Sequence, residues 1–238
     1  MIILHVANLH FRRSWFKWLR ASAPPHDLLV IAGDLLERSD PASHECQIAW
    51  VSEWVRDHPT PICIASGPHD LVRKPGEQLW WPADWLHGLA GPRVWTDGER
   101  RDYSGFGVLP LPPGGVARGE AAEVWVVHQG PKGPSVSRSS AGWDGGDPFL
   151  LYAIRKYRPR LLLCGHLHAP LSWIESFEDT LYLNPGCDDD AAYPNHLLID
   201  FDGGHIRRVC ARAGGMERPS IVPLPKALTL IPPLEMVR

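Results

Sequence analysis

Cys164-Gly165-His166-Leu167-His168 follows three consecutive leucines, Leu161 to Leu163, and the rest of the chain is organised around this segment. A short apolar run of this kind is typical of a buried strand. Glycine at its end allows a sharp turn, and residues two apart in an extended segment point to the same side. Imidazole is the most common protein ligand for divalent transition metals. The pair of histidines therefore indicates a metal site, although two polar residues on a surface loop would give the same local pattern.

Four other apolar runs end in the same manner, each in a segment that carries His or Asp. These are Met1 to Ala7 before Asn8-Leu9-His10, Leu28 to Ala32 before Gly33-Asp34-Leu35-Leu36-Glu37, Pro61 to Ala65 before Ser66-Gly67-Pro68-His69-Asp70, and Val124 to Val127 before His128. Open α/β sheets bind their ligands at the carboxyl ends of their strands. A single ending of this type is common by chance, whereas five in order predict one functional site.

Helical patterns separate these strands. Apolar residues recur at helical spacing over Ser14 to Ala21, over Glu45 to Asp57 and over Phe149 to Tyr157. Alternation of strands and helices predicts an α/β fold with parallel strands and right-handed crossovers. The Trp-rich stretch Leu79 to Leu86 is expected to form a short helix held to the core by its tryptophans.

The segments that follow the organising strand have a different character. We expect an antiparallel meander of four strands, over Leu171 to Ile174, Leu181 to Leu183, His196 to Phe201 and His205 to Ala211. The Gly-, Ser- and Pro-rich stretch from Lys132 to Pro148 predicts a long mobile loop. It and the Trp-rich stretch are the candidates for substrate selection, because the sequence shows no cap domain.

Size and composition limit the classes of function. The 238 residues predict a single domain, 1–238, with a Pro-rich extended tail from about 214 to 238. A formal net charge of −3 does not support a nucleic-acid partner. No apolar stretch is long enough to span a bilayer, and the five scattered cysteines do not suggest disulfides. We expect a cytoplasmic protein that does not bind membranes, and its oligomeric state is left open.

The ordered set of strand endings resembles the calcineurin-like metallophosphoesterases, whose pattern is DxH, GDxx(D/E), GNH(D/E), a later His and GHxH. The resemblance runs from Asn8 to His168, and Asn184-Pro185-Gly186 is similar to a further turn of that family. It implies a four-layer α/β sandwich in which two mixed β-sheets are flanked by helices. It also implies hydrolysis of a phosphate ester, either a monoester or a diester, in a small molecule or a nucleotide.

The resemblance further implies two divalent metal ions, of Mn, Fe, Zn or Ni, and a role for each matching residue. One ion would take Asn8, His10, Asp34 and His168, and the other Asp34, His128 and His166. Metal-activated hydroxide would attack the phosphorus. His69 would act as the acid and Glu37 would orient it, while Asp70 is expected to secure its loop through hydrogen bonds to the backbone.

Two positions depart from the family pattern. Asn8 replaces its first aspartate, which removes one negative charge but keeps an amide oxygen. Pro68 replaces the asparagine of GNH(D/E), which removes a ligand, and proline restricts the conformation of Gly67. Three hypotheses follow: a metallophosphoesterase with a weakened site, a pseudoenzyme that serves as a protein-binding scaffold, and an α/β domain with coincidental histidines. The ordered motifs favour the first.

Overall fold

The computed structural model describes residues 1–73, 76–115, 122–202, 205–213 and 216–218. Its helices are α1 (Arg13–Ala21), α2 (His44–Arg56), α3 (Asp84–His87) and α4 (Leu150–Tyr157). Helix α2 is capped by Ser43, whose side chain accepts a hydrogen bond from the backbone N–H of Cys46. Helix α4 is followed by Arg158, which adopts the left-handed conformation common after helix ends. The three long helices lie within one or two residues of their predicted bounds.

The strands form two large sheets and one short hairpin. In chain order they are β1 (Ile2–Val6), β2 (Leu28–Ala32), β3 (Ile62–Ala65), β4 (Val72–Arg73), β5 (Trp80–Trp81), β6 (Val94–Trp95), β7 (Arg101–Tyr103), β8 (Phe106–Leu111), β9 (Val124–Val127), β10 (Leu161–Leu163), β11 (Ile174–Phe177), β12 (Thr180–Leu183), β13 (His196–Asp202), β14 (His205–Ala213) and β15 (Met216–Arg218). Among the described residues, the first sheet has the order β15-β14-β13-β1-β2-β3-β6 and the second β11-β12-β10-β9-β8-β7.

Both sheets are mixed. In the first, β1, β2, β3 and β6 run parallel, and β13 pairs antiparallel with β1. In the second, β8, β9, β10 and β12 run parallel, and the two edge strands are antiparallel. The parallel centre of each sheet explains why its strands read as continuous apolar runs, since both of their faces are buried.

Three apolar clusters give the molecule four layers. Alternate residues of β1 face opposite ways: Ile3 joins the cluster between the sheets, and Leu4 joins the one under α1 and α2. Trp15 and Val51 supply the helical side of that second cluster. A third cluster packs Ile154 of α4 against Trp125 of the second sheet. The predicted fold, two mixed β-sheets flanked by helices, is confirmed.

The predicted four-strand meander is wrong. Strands β11 and β12 belong to the second sheet, where β12 runs parallel to β10, whereas β13 and β14 belong to the first. The predicted strand Leu171 to Ile174 overlaps β11 only at Ile174. Consecutive strands are often neighbours, but here the chain changes sheets between β12 and β13.

The expected helix over Leu79 to Leu86 is also partly wrong. Trp80 and Trp81 form β5, which pairs with β4, and α3 begins only at Asp84. Both tryptophans are exposed rather than buried in the core. Trp85 donates a hydrogen bond from its indole N–H to the carbonyl of Asp70.

The segment from Lys132 to Pro148 is a loop, as expected, with a single 3₁₀ turn at Ser135–Ser137. Backbone hydrogen bonds join Lys132 to Asp147 and Asp147 to Gly130. Within the described part of the chain, no helix combines the length and apolar character needed to cross a membrane. Most of the predicted tail lies outside the described residues.

Candidate metal centre

The site is built where the first two strands end. Backbone hydrogen bonds join the segments after β1 and β2, from Asn8 N to Gly33 O at 3.1 Å and from His10 N to Asp34 O at 2.9 Å. Asn8, His10 and Asp34 have φ angles of 54°, 43° and 55°. Such left-handed conformations cost non-glycine residues roughly 1–3 kcal/mol each, and they cluster at functional sites.

The second sheet is joined to these segments by side chains. His128 Nδ1 lies 2.8 Å from the carbonyl oxygen of Ala32, and the backbone N–H of His166 donates to Asn8 Oδ1 at 3.1 Å. Gly165 N–H donates to the carbonyl of His128 at 2.8 Å. The ends of β1, β2, β9 and β10 therefore meet in one place, as the sequence predicted.

The first pair of candidate ligands is His10 and His168. Their Nε2 atoms lie 3.2 Å apart. Two nitrogens that share one ion at about 2.0–2.1 Å would be separated by roughly 3–3.4 Å. On the far side of the His10 ring, Nδ1 lies 3.1 Å from Glu37 Oε2. A carboxylate behind an imidazole ligand is the usual arrangement at metal sites.

The second pair is Asp34 and His128, whose Oδ2 and Nε2 atoms lie 3.1 Å apart. We assign the Nδ1 proton of His128 to its bond with the Ala32 carbonyl, which turns an Nε2 lone pair toward the carboxylate. Two electron-rich atoms at this distance require a cation between them or a proton. The ring of His166 lies 5.3 Å from that of His128, centroid to centroid.

Electrostatics fit this arrangement. Burial lowers the pKa of His128, but the adjacent Asp34 carboxylate outweighs it, and the pKa lies above its usual value. Burial raises the pKa of Asp34, but His128 outweighs it in turn, so this carboxylate is ionised. Burial lowers the pKa of His166 to about 4, and it also lowers that of His10. Both are neutral at physiological pH, the form that binds metals.

His69 and Glu37 meet as expected, but Glu37 does more than was predicted. His69 Nδ1 lies 3.5 Å from Glu37 Oε1, while the other carboxylate oxygen faces His10. The backbone N–H of His69 donates to Asp34 Oδ1 at 2.9 Å. Glu37 thus lies between the predicted acid and a predicted ligand.

Asp70 secures the His69 loop, as predicted. Its fully buried carboxylate accepts four backbone N–H bonds of 2.8–3.0 Å, from Asp34, Leu35, Leu36 and Gly67. Pro68 occupies the first position of a 3₁₀ turn, where its missing N–H is not needed, and Gly67 before it is extended. Pro68 is therefore compatible with the loop, although its side chain offers no ligand atom.

Asn8 is buried, and its oxygen already accepts the N–H of His166. Its Nδ2 is buried and has no hydrogen-bond partner. In this orientation Asn8 holds the His166 segment in place. A second lone pair on the oxygen remains the only means by which Asn8 could also bind an ion.

Some residues of the site were not predicted as site residues from the sequence. Asp189 Oδ2 lies 3.6 Å from His168 Nδ1, and the guanidinium of Arg12 holds Asp189 at 2.8 Å. Asn184, noted only as part of a turn, donates to the carbonyls of Gly165 and Leu167 and so supports the two histidines. Asp189 and Arg12 lie in loops that carry no recognisable sequence motif. The spacing of residues in the sequence therefore could not have predicted them.

The predicted residues converge on a pocket of about 590 Å³. Its walls include most of the predicted site residues: His10, Asp34, Glu37, His69, His166 and His168. His128 and Asn8 lie buried behind it. Two nearby donor groups, one of which includes Glu37, could also hold an ion: His10 with Glu37 and His69, and His168 with Cys187 and Asp189. A donor set of imidazoles and a carboxylate suits a divalent metal.

Comparison with known proteins identifies the family of the chain. The chain belongs to the calcineurin-like phosphoesterase family, whose model matches residues 1–170. Among solved structures it is similar to TT1561 of Thermus thermophilus, with a TM-score of 0.57 and 14% identity over 84% of this chain and 93% of that one. It is also similar to the purple acid phosphatase PPD1 of yellow lupin, with a TM-score of 0.55 and 11% identity over 92% of this chain and 52% of that one. These likenesses show a shared fold. No curated protein sequence matches the chain.

Proposed function

We propose that this protein is a metal-dependent phosphoesterase that hydrolyses a phosphate monoester or diester. The observation that carries the proposal is the double pairing in one pocket, His10 with His168 at 3.2 Å and Asp34 with His128 at 3.1 Å. Membership of the calcineurin-like phosphoesterase family supports the same reaction class.

Two divalent ions, Mn, Fe, Zn or Ni, suit the mixed imidazole and carboxylate donors. His10 and His168 would hold one, His128 and His166 the other, and Asp34 would serve both. Ions bound there supply Lewis acidity, which activates water and offsets phosphate charge. Asn8 would support this set through His166 rather than donate a strong ligand of its own.

His69 is the proposed proton donor to the leaving oxygen. Its backbone N–H is fixed by Asp34, and Glu37 lies beside its ring. This position lets the imidazole reach a phosphate ester in the pocket without being needed as a ligand. We further infer a cytoplasmic location, which the five free cysteines support, because thiols stay reduced there.

A specific observation keeps the scaffold alternative open. The Asn8 oxygen is already engaged and Pro68 offers no side-chain oxygen, so both family ligands at these positions are weakened or lost. A protein that holds phosphoesterase geometry without metal would fit such losses.

Metal analysis with activity assays separates these functions. We expect the purified protein to contain divalent metal and to hydrolyse p-nitrophenyl phosphate or bis(p-nitrophenyl) phosphate. Asp34→Ala should remove both the metal and the activity, because Asp34 is the shared ligand. Asp102→Ala, at an exposed carboxylate of β7 outside the pocket, is the matched control and should change neither. If the wild-type protein remains metal-free and inactive after incubation with each of the four ions, the scaffold function is favoured.

A further inference from the structure

A second pocket of about 270 Å³ adjoins the metal pocket and shares two of its residues, Glu37 and Asp40. Its other walls include Arg38, His44, Arg73 and Trp80. Small-molecule sites usually enclose roughly 300–1,000 Å³, so this pocket suits one ring system rather than a polymer.

The wall of this pocket is aromatic and cationic. The guanidinium carbon of Arg38 lies 3.7 Å from the centroid of the Trp80 ring, and the ring of His44 meets that of Trp80 edge-on at 6.2 Å. Trp80 nevertheless stays 41% exposed. Flat guanidinium and indole groups both stack on planar rings. An exposed tryptophan beside a catalytic pocket is therefore a surface for an aromatic ligand.

The pocket is also tied to the segment that carries the proposed acid. Arg38 donates a hydrogen bond to the carbonyl of Pro68, and His44 Nε2 lies 3.0 Å from the carbonyl of His69. A ligand on Trp80 therefore lies on the His69 side of the metal pocket, where the leaving oxygen would be protonated.

We infer that this pocket binds the leaving group of the substrate, and that this group contains a planar aromatic ring. The inference rests on the proposed function, since it places the ring by reference to His69. An aryl phosphate, in which the ester oxygen joins the ring to phosphorus, and a nucleotide, in which a ribose lies between the ring and the ester oxygen, share this chemistry.

Binding of two non-hydrolysable phosphonates tests the inference without turnover. Calorimetry on the metal-loaded protein would compare phenylphosphonate with methylphosphonate. We expect the phenyl compound to bind roughly 10-fold more tightly, within the range for stacking on an aromatic side chain. Trp80→Ala should abolish this preference, and Trp80→Phe should restore much of it. Phe149→Ala, at an exposed aromatic residue outside both pockets, is the matched control and should keep it.

A second pair of ligands distinguishes the two sources of the ring. KM would be measured for adenosine 5′-monophosphate and for ribose 5-phosphate, with wild type and Trp80→Ala. If Trp80→Ala raises KM by roughly 10-fold for adenosine 5′-monophosphate but not for ribose 5-phosphate, the leaving group is assigned to a nucleotide. A Trp80 effect confined to the phosphonates assigns an aryl phosphate.

The two proposals fail in different ways. If wild type hydrolyses esters and binds methylphosphonate but shows no aromatic preference in either pair, the pocket inference is wrong and the proposed function stands. A preference that survives in Trp80→Ala would also overturn it. If no ester is hydrolysed and neither phosphonate binds the metal-loaded protein, both proposals are wrong.

Discussion

At the scale of single residues, Glu37 connects the two parts of the proposed chemistry. One carboxylate oxygen lies 3.1 Å from His10 Nδ1, and the other lies 3.5 Å from His69 Nδ1. The first contact would orient a metal ligand, and the second would orient the proton donor. The sequence suggested only the second contact. A carboxylate that serves both should affect metal binding as well as turnover.

Substitutions at His69 and Glu37 should therefore differ in kind. His69→Asn should lower turnover by roughly 10²–10⁴-fold, the usual contribution of a positioned acid, and leave metal affinity nearly unchanged. Glu37→Gln should lower turnover and also weaken metal binding by roughly 10–100-fold, because His10 loses its carboxylate partner. Metal titration beside steady-state rates measures both. Glu53→Gln, on the exposed face of α2, is the control. Unchanged metal affinity in Glu37→Gln would mean that Glu37 serves His69 alone.

Several residues near the site show the limit of reading single positions in a sequence. The predicted ligands follow buried strands, so the hydrophobic pattern located them. Asp189, Arg38 and His44 lie beyond such strands. Each has a bonding partner 25 or more residues away in the chain, respectively Arg12, Pro68 and His69. Contacts of this kind depend on the packing of loops, which leaves no local pattern. The assigned roles of the eight predicted site residues remain predictions.

At the scale of elements, close approach between strand ends holds the site together. A Cβ atom added to Gly67, after β3, would lie 2.2 Å from Asp34 Oδ1 and 2.5 Å from Asp34 N, after β2. The φ angle of Gly67 is −114°, which any residue adopts, so the requirement for glycine is steric. The loop after β3 can thus deliver His69 beside Asp34 only when position 67 has no side chain.

Gly67→Ala should separate these two loops. We expect a loss of roughly 1–3 kcal/mol in the free energy of unfolding, the usual cost of overpacking, together with weaker metal binding. Gly91→Ala is a suitable control, because its added Cβ would lie 3.9 Å from the nearest atom, the carbonyl oxygen of Leu89. Urea denaturation of the metal-free proteins and metal titration of each provide the comparison. If the two variants are equally stable, the loop after β3 can shift to accommodate the added Cβ atom, and the steric requirement at Gly67 is wrong.

The same scale shows which elements a sequence can predict. Strands β1, β2, β3, β9 and β10 were predicted because central parallel strands are apolar throughout. The assignment of β11 and β12 to one sheet and β13 to the other was missed, because either sheet buries similar residues. Trp80 and Trp81 were misjudged since tryptophan is usually a core residue, whereas here both are exposed.

At the scale of the whole molecule, one buried histidine joins the two sheets. His5 of β1 is fully buried, and its Nε2 lies 3.0 Å from the carbonyl oxygen of Cys164, directly after β10. The other ring nitrogen is buried without a hydrogen-bond partner. Burial lowers the pKa of His5 to about 4 from the ordinary 6.5. The core between the sheets thus holds a neutral imidazole that acid would charge.

That one domain spans all 238 residues remains a prediction.

His5 gives folding stability a defined dependence on pH. Between pH 6.5 and about 4 the unfolded chain binds a proton at His5 that the folded protein does not. The contribution of neutral His5 to the free energy of unfolding is therefore complete above pH 6.5. It declines as pH falls, by about 2 kcal/mol at pH 5. His5→Gln removes this titration. Between pH 7.5 and pH 5 the variant should therefore lose less stability than wild type loses, by the same amount. Its stability at pH 7.5 is the internal reference, which separates the pH effect from any change in packing.

Urea denaturation at the two pH values, in excess EDTA so that metal binding does not contribute, measures this difference. His205→Gln is the matched control, because that histidine lies exposed on β14. His166 also has a pKa lowered to about 4, so some acid sensitivity should persist in His5→Gln. If His5→Gln loses as much stability as wild type over this range, the imidazole between the sheets is not the acid-sensitive group. The dependence on pH would then arise from other histidines with lowered pKa values, among them His166, His58 and His196. The variant to compare next would be His166→Gln under the same conditions.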